Sequence, residues 1–153
     1  MEKEKIKKLE QKINYTFKNK NLLVNSMTHK TYAFEAKTPV EYNERLEFLG
    51  DSILGFVTAK ILYDTNKYFS EGELTRRRSL LVNNALLAEK AKELQIGNYL
   101  RLGKGEKLQN GSKNPTNLAN ALEALIGAIF LDSDIKKVTE FIKNTIFEKE
   151  IQL

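Results

Sequence analysis

Residues 43–57, NERLEFLGDSILGFV, carry the clearest helical pattern in this chain. Their apolar residues recur at intervals of three and four, which is the spacing of one face of an α-helix. Three acids, Glu44, Glu47 and Asp51, follow the same spacing and therefore share a helical face. A helix this rich in large apolar residues is largely buried, and acids beside such a stripe carry a desolvation cost unless a cation neutralises them. The segment therefore predicts a buried helix with a chemically active acidic side.

A second segment, NLANALEALIGAIFLD at residues 117–132, repeats this pattern, with Asn120 and Glu123 three residues apart among leucines and isoleucines. If the two helices pack together, Glu47, Asp51, Asn120 and Glu123 can converge into one oxygen-rich pocket. Mg²⁺ prefers such a site, because it binds a few carboxylates together with water and substrate phosphate oxygens. The alternative is that the acids are only salt-bridged or solvated at helix edges, and the spacing alone does not separate the two interpretations.

The remaining periodicity predicts an all-α single domain over residues 1–153, because strand-like alternation is scarce. A loop or broken segment is predicted over residues 31–43, where Pro39 argues against a continuous helix, and the longest loop over residues 97–116. Helices are predicted at about Ile6 to Ile13, from a cap at Asn19 or Asn21 to Met27, at Glu41 to Tyr63, from Glu73 to Leu94, at Asn117 to Leu131 and at Asp134 to Glu148.

The composition limits the functional class. The 153 residues include no cysteine, which excludes disulfides, thiolate metal sites and cysteine nucleophiles. No apolar run is long enough to span a bilayer, and the lysine-rich N-terminus lacks the apolar centre of a signal peptide. We therefore expect a cytoplasmic protein without a membrane partner, with its first helix packed on its own core. The net charge of +5, spread over several basic clusters, is typical of a protein that binds a polyanion such as nucleic acid. The alternative interpretation is a lysine-rich surface that is only solvated.

The stretch ERLEFLGDSIL at residues 44–54 is similar, nearly letter for letter, to the signature of bacterial ribonuclease III. Four further segments match the family in order: THKTYAFE from Thr28, EGELTRRRSLLVN from Glu71, LRLGKGE from Leu100 and LEALIGAIFLDSD from Leu122. The resemblance implies the ribonuclease III endonuclease-domain fold, a two-fold dimer, and Mg²⁺-dependent cleavage of both strands of double-stranded RNA. Mn²⁺ is expected to substitute for Mg²⁺.

By the same resemblance, the family's metal ligands fall on Glu47, Asp51, Asn120 and Glu123, with Asp51 and Glu123 as the catalytic pair. Supporting acids fall on Glu44 and Glu71, and Phe48 matches an aromatic residue that the family buries against the partner subunit. We add Gly50 to the dimer interface, because a glycine in a buried helix favours close approach of another backbone. Charge clusters predict RNA contacts at Arg76, Arg77, Lys104, Lys107 and Lys113. The lone histidine, His29, is expected to have a core or capping role.

The chain departs from the family pattern in two respects. Asn120 stands where the family has aspartate, so the pocket lacks one negative charge, and either a naturally weakened enzyme or an introduced inactivating substitution explains it. The chain also stops at Leu153, before the double-stranded-RNA-binding domain that most bacterial members have, which favours an excised or truncated catalytic domain. The alternative functions are a catalytically silenced, dimeric double-stranded-RNA-binding module and, more remotely, a ribosome-associated structural protein on the same fold.

Overall fold

A computed structural model describes residues 1–147, so Glu148, the expected end of the last helix, lies outside the described part. Within residues 1–147 there is no strand, and Thr28 and Arg101 form one isolated parallel bridge. The all-α prediction is thereby confirmed. The helices are α1 (Lys3–Ile13), α2 (Lys20–Ser26), α3 (Lys30–Glu35), α4 (Glu44–Thr65), α5 (Glu71–Leu81), α6 (Asn84–Glu93), α7 (Lys104–Leu108), α8 (Pro115–Asp132) and α9 (Ile135–Thr145).

Asparagine side chains set several helix starts, because each accepts a hydrogen bond from a backbone N–H that the first turn leaves unpaired. Asn19 caps α2 in this way, as one of the two predicted candidates. Asn114 caps α8, whose first residue is Pro115. Asn83 caps α6 by accepting from the Leu86 N–H, and this cap divides the single helix expected from Glu73 to Leu94 into α5 and α6.

Two regions expected to be irregular contain short helices. The segment before α4 is helical over α3 and irregular only over residues 36–43, where Pro39 lies. The long basic loop contains α7 and two 3-10 turns, Ile96–Tyr99 and Gly111–Lys113. Within residues 1–147, no helix is both long and apolar enough to cross a membrane.

Helix α8 forms the centre of the domain. It is buried along most of its length and packs most extensively on α4, then on α6, α2 and α9. Its side chains Leu122, Leu125, Ile126 and Ile129 are fully buried. Helix α5, by contrast, buries none of its residues and packs on α4 from outside.

Helices α4 and α8 cross with their backbones in contact at two glycines. A methyl group on Gly50 would lie 1.7 Å from the carbonyl oxygen of Glu123, and one on Gly127 would lie 2.4 Å from the carbonyl oxygen of Leu46. The prediction that Gly50 belongs to the dimer interface is therefore wrong. Gly50 does accommodate the close approach of another backbone, but that backbone is α8 of the same chain, which leaves Gly50 buried.

Candidate metal centre

The crossing of α4 and α8 brings the predicted acids together. Gly50 lies between Glu47 and Asp51 on α4, and the Glu123 backbone is the one that approaches Gly50. The carboxylates of Asp51 and Glu47 act electrostatically on that of Glu123. Asn120 precedes Glu123 by three residues on α8 and is half-buried. The two glycines thus allow residues far apart in sequence to share one site.

Glu123 is the buried member of the cluster, with 6% of its surface exposed. Within residues 1–147 its carboxylate has neither a hydrogen-bond donor nor an ion-pair partner. Burial, reinforced by the negative charges of Asp51 and Glu47, raises the pKa of Glu123 to about 7. Its charged form is therefore unfavourable near neutral pH until a cation arrives.

Burial is also the main cause that raises the pKa of Glu47, and the charges of Glu44 and Asp51 raise it further, against the opposing effect of Lys30. Glu44 lies on the exposed rim of the site, and its Oε1 is 3.0 Å from the Lys30 ammonium. The predicted supporting acid Glu71 lies apart, on α5, where its carboxylate accepts a hydrogen bond from the Thr75 hydroxyl. Its charge is not among those that act on Glu47 or Glu123, so its supporting role stays a prediction.

Three carboxylates and one amide are the side-chain chemistry that a hard divalent cation uses when it also keeps water ligands. Asp51 is exposed, Glu47 and Asn120 are half-buried and Glu123 is buried, so the cluster opens to solvent on one side. In the part of the chain that the structure describes, no three acidic or histidine side chains converge closely enough to enclose a metal by themselves. An open set of carboxylates leaves room for water and phosphate oxygens, and Mg²⁺ uses both.

The predicted RNA-binding residues have two kinds of environment. Arg76 and Arg77 already pair with Glu73, at 3.0 and 2.6 Å, and Arg77 also stacks on the Phe69 ring. Lys104, Lys107 and Lys113 are exposed in and beside α7. The lysines are therefore freer to bind phosphate than the two arginines.

His29 has the capping role that was expected. Its Nδ1 accepts a hydrogen bond from the Thr31 backbone N–H at the start of α3, at 3.4 Å, and lies 2.8 Å from the Thr31 hydroxyl. It thus caps the first turn of α3.

Sequence reasoning missed an apolar groove of about 960 Å³ beside the site. Phe48 lies at this groove with 78% of its surface exposed. The groove draws its leucines from three separate parts of the chain, so no local pattern reveals it. Those leucines are Leu22, Leu46, Leu49 and Leu131.

The protein is a helical domain in which two helices cross at glycines and carry a cluster of carboxylates at the crossing. A family model described as Ribonuclease-III-like matches residues 19–150. The chain belongs to this ribonuclease-III-like family, as its signature predicts.

Relatives and solved structures agree with this assignment. Ribonuclease 3 of Caldanaerobacter subterraneus subsp. tengcongensis is 44% identical over 134 residues, covering 88% of this chain and 59% of the relative. Ribonuclease 3 of Buchnera aphidicola subsp. Acyrthosiphon pisum is 45% identical over 146 residues, covering 95% and 62% respectively. The chain thus spans about three fifths of the length of these relatives.

The fold matches that of a nuclease domain along its whole length. The crystal structure of the nuclease domain of ribonuclease III from Campylobacter jejuni superposes with a TM-score of 0.89 at 36% identity, covering 100% of this chain and 99% of that one. A second structure of that domain, which describes flexibility in its dimer-forming region, gives a TM-score of 0.88 at 36% identity, covering 95% and 98%. The predicted endonuclease-domain fold is confirmed.

Proposed function

We propose that this domain is an endoribonuclease that hydrolyses phosphodiester bonds in double-stranded RNA with Mg²⁺. The observation that carries the proposal is the environment of Glu123, a buried carboxylate beside Asp51 and Glu47 that contacts no cationic side chain among residues 1–147. Such a cluster is costly for a folded protein and is useful when it binds a metal. Membership of the ribonuclease-III-like family supplies the reaction class.

Glu47, Asp51, Asn120 and Glu123 would hold the metal, which when bound activates a water molecule and stabilises the charge that develops on phosphate. Asp51 and Glu123 would orient that water through their carboxylate oxygens. Glu123 would bind the metal in its ionised form, so metal binding near neutral pH releases its proton. Asn120 would contribute an amide oxygen but no charge, so we expect activity below that of an aspartate form.

The domain would act as a two-fold dimer, with Phe48 of each subunit seated in the apolar groove of the other. An exposed phenylalanine beside an open leucine-lined groove is a self-complementary surface, which a two-fold axis requires. Phe56 and Tyr63 continue the exposed apolar side of α4 and would extend the interface. The resulting pair of acidic sites would cut one strand each.

Lys104, Lys107 and Lys113 would bind backbone phosphates outside the metal site, because they are exposed and close together in sequence. Duplex RNA presents its phosphates and 2′-hydroxyls across a wide minor groove, so recognition there depends on shape and charge. We expect binding that weakens steeply with salt.

A labelled RNA duplex incubated with the protein in Mg²⁺, and separately in Mn²⁺, tests the proposal. The matched single strand and a DNA duplex of the same sequence serve as substrate controls, and Glu123→Ala as the inactive control. We expect metal-dependent cleavage of the RNA duplex alone and none by Glu123→Ala. Binding without cleavage in either metal would instead support the silenced module, which the retained Glu47, Asp51 and Glu123 do not favour.

A further inference from the structure

Lys30 is the basic side chain that lies against the acidic site. It is the first residue of α3, and its ammonium is 3.0 Å from the Glu44 carboxylate, with 49% and 48% of the two side chains exposed. Within residues 1–147, the charges that act on Glu47 are those of Lys30 and of two carboxylates, Glu44 and Asp51. It therefore provides the positive charge at the rim of the cluster.

Hydrogen bonds to the segment around Arg101 hold the helix that carries Lys30, α3, at both of its ends. The His29 N–H donates to the Arg101 carbonyl at 3.0 Å, and the Thr31 hydroxyl accepts from the Gly103 N–H at 3.0 Å. At the far end of α3, the Glu35 carboxylate accepts from the Lys104 N–H at 3.0 Å. These bonds tie both ends of α3 to the segment that leads into α7, so Lys30 projects from a fixed helix start.

We propose that Lys30 is a phosphate-binding residue of the proposed cleavage reaction, with its ammonium on a nonbridging oxygen of the RNA backbone beside the metal site. Glu44 is the positioning residue that orients Lys30 before RNA arrives. This inference rests on the proposed function, since it assigns one further contact to the same site.

The charge balance explains why such a contact is needed. A divalent cation does not neutralise three carboxylates, so a phosphodiester that approaches the loaded site still meets negative charge. Lys30 offsets that repulsion from a position that the metal does not occupy. Because exposed ion pairs contribute little to stability, Lys30 can exchange Glu44 for phosphate at small cost.

The test compares Lys30→Met, Lys30→Arg and Glu44→Gln with the control Lys137→Met. Lys137 is matched because its ammonium lies 3.5 Å from Glu140 and the two side chains are 60% and 62% exposed, on α9. Duplex binding is measured against salt concentration in a Glu123→Gln background that keeps the RNA intact, and kcat and KM are measured with Glu123 present. Melting temperatures verify that each variant folds.

Lys30→Met should weaken duplex binding several-fold. The plot of log association constant against log salt concentration should become shallower, its negative slope shrinking in magnitude by about 0.9 for each protomer in contact. Its kcat should fall roughly tenfold, less than for a buried oxyanion donor because Lys30 is half exposed. Lys30→Arg should retain most of both properties. Glu44→Gln should lower kcat while keeping the salt slope, and Lys137→Met should behave as the unmodified protein.

An unchanged salt slope in Lys30→Met, with only a shifted Mg²⁺ requirement or pH profile, would overturn the proposal, because Lys30 would then merely balance the carboxylates. That outcome leaves the proposed function intact, since the unmodified protein still binds and cuts the duplex. If the unmodified protein neither binds nor cuts duplex RNA, both the function and the role of Lys30 are overturned.

Discussion

The α-carbon of Gly50 faces the carbonyl oxygen of Glu123 so closely that a methyl group in place of the glycine hydrogen would lie 1.7 Å from that oxygen. This single contact connects the fold with the candidate site. The carbonyl belongs to the same residue whose carboxylate is the buried member of the acidic cluster. Any change that separates α4 from α8 at Gly50 therefore moves Glu123 away from Glu47 and Asp51.

Gly50→Ala is expected to lower the free energy of unfolding by at least about 3 kcal/mol, because the obstacle is backbone rather than a movable side chain. Urea unfolding at fixed protein concentration measures the change. Gly72→Ala is the control, since a methyl group there meets no atom within 4 Å, and it should leave the protein as stable or up to about 1 kcal/mol more stable. Equal stability of the two variants would mean that the helices do not cross in backbone contact.

The stability of the metal-free protein is expected to fall as pH rises from about 4.5 to about 7. In that interval unfolded Glu123 ionises while folded Glu123, whose pKa is raised to about 7, keeps its proton. The folded state then binds more protons, so the free energy of unfolding decreases with pH, by up to roughly 3 kcal/mol from this residue. The raised pKa of Glu47 acts in the same direction.

Glu123→Gln isolates this effect, because the amide keeps the shape of the side chain and cannot ionise. The variant should be more stable than the unmodified protein at pH 8 in EDTA and similar to it at pH 4. Mg²⁺ should reduce the difference at pH 8 by binding the ionised site. A pH profile of stability that is the same in both proteins would contradict the assigned environment of Glu123.

Asn120→Asp is expected to raise both Mg²⁺ affinity and cleavage rate, the latter by roughly a hundredfold, since it restores a charged ligand worth a few kcal/mol in the transition state. Without metal the variant should be slightly less stable, because a fourth carboxylate joins three others. Mg²⁺ should then raise its melting temperature more than that of the unmodified protein.

Asn144→Asp adds the same charge on the exposed side of α9 and provides the control, with no expected change in metal affinity or rate. Calorimetric titration of Mg²⁺ and a duplex cleavage assay measure both quantities. If Asn120→Asp changes neither of them, Asn120 does not face the metal, and the proposed ligand set loses a member.

Phe48→Ala is expected to weaken the dimer about thirtyfold or more, as the loss of a central aromatic anchor of about 2 kcal/mol implies. Sedimentation velocity over a range of protein concentrations measures the dissociation constant. Leu108→Ala is the matched control, because Leu108 is a highly exposed apolar residue on α7 and does not line the groove. A monomeric unmodified protein at micromolar concentration would contradict the proposed assembly.

The positions of the main helices can be predicted from local sequence signals, because helix formation depends on contacts within a few residues. The apolar spacing around Asp51 and Glu123, and the cap at Asn19, are local signals, and the structure places helices α4, α8 and α2 accordingly. The family signature also lies within one helix. Where the prediction failed, as at Asn83, a local cap interrupted a pattern of apolar residues that continues through it.

Tertiary packing sets the surface that Gly50 contacts, the rise in the pKa of Glu123 and the position of Lys30 at the rim of the cluster. Each of these depends on residues that are distant in sequence and meet through packing. A glycine in a helix indicates close approach of another backbone but does not identify which backbone approaches, so the sequence does not separate a second subunit from another helix of the same chain. Electrostatic environment likewise depends on burial and on distance in space, and neither can be obtained from spacing along one helix.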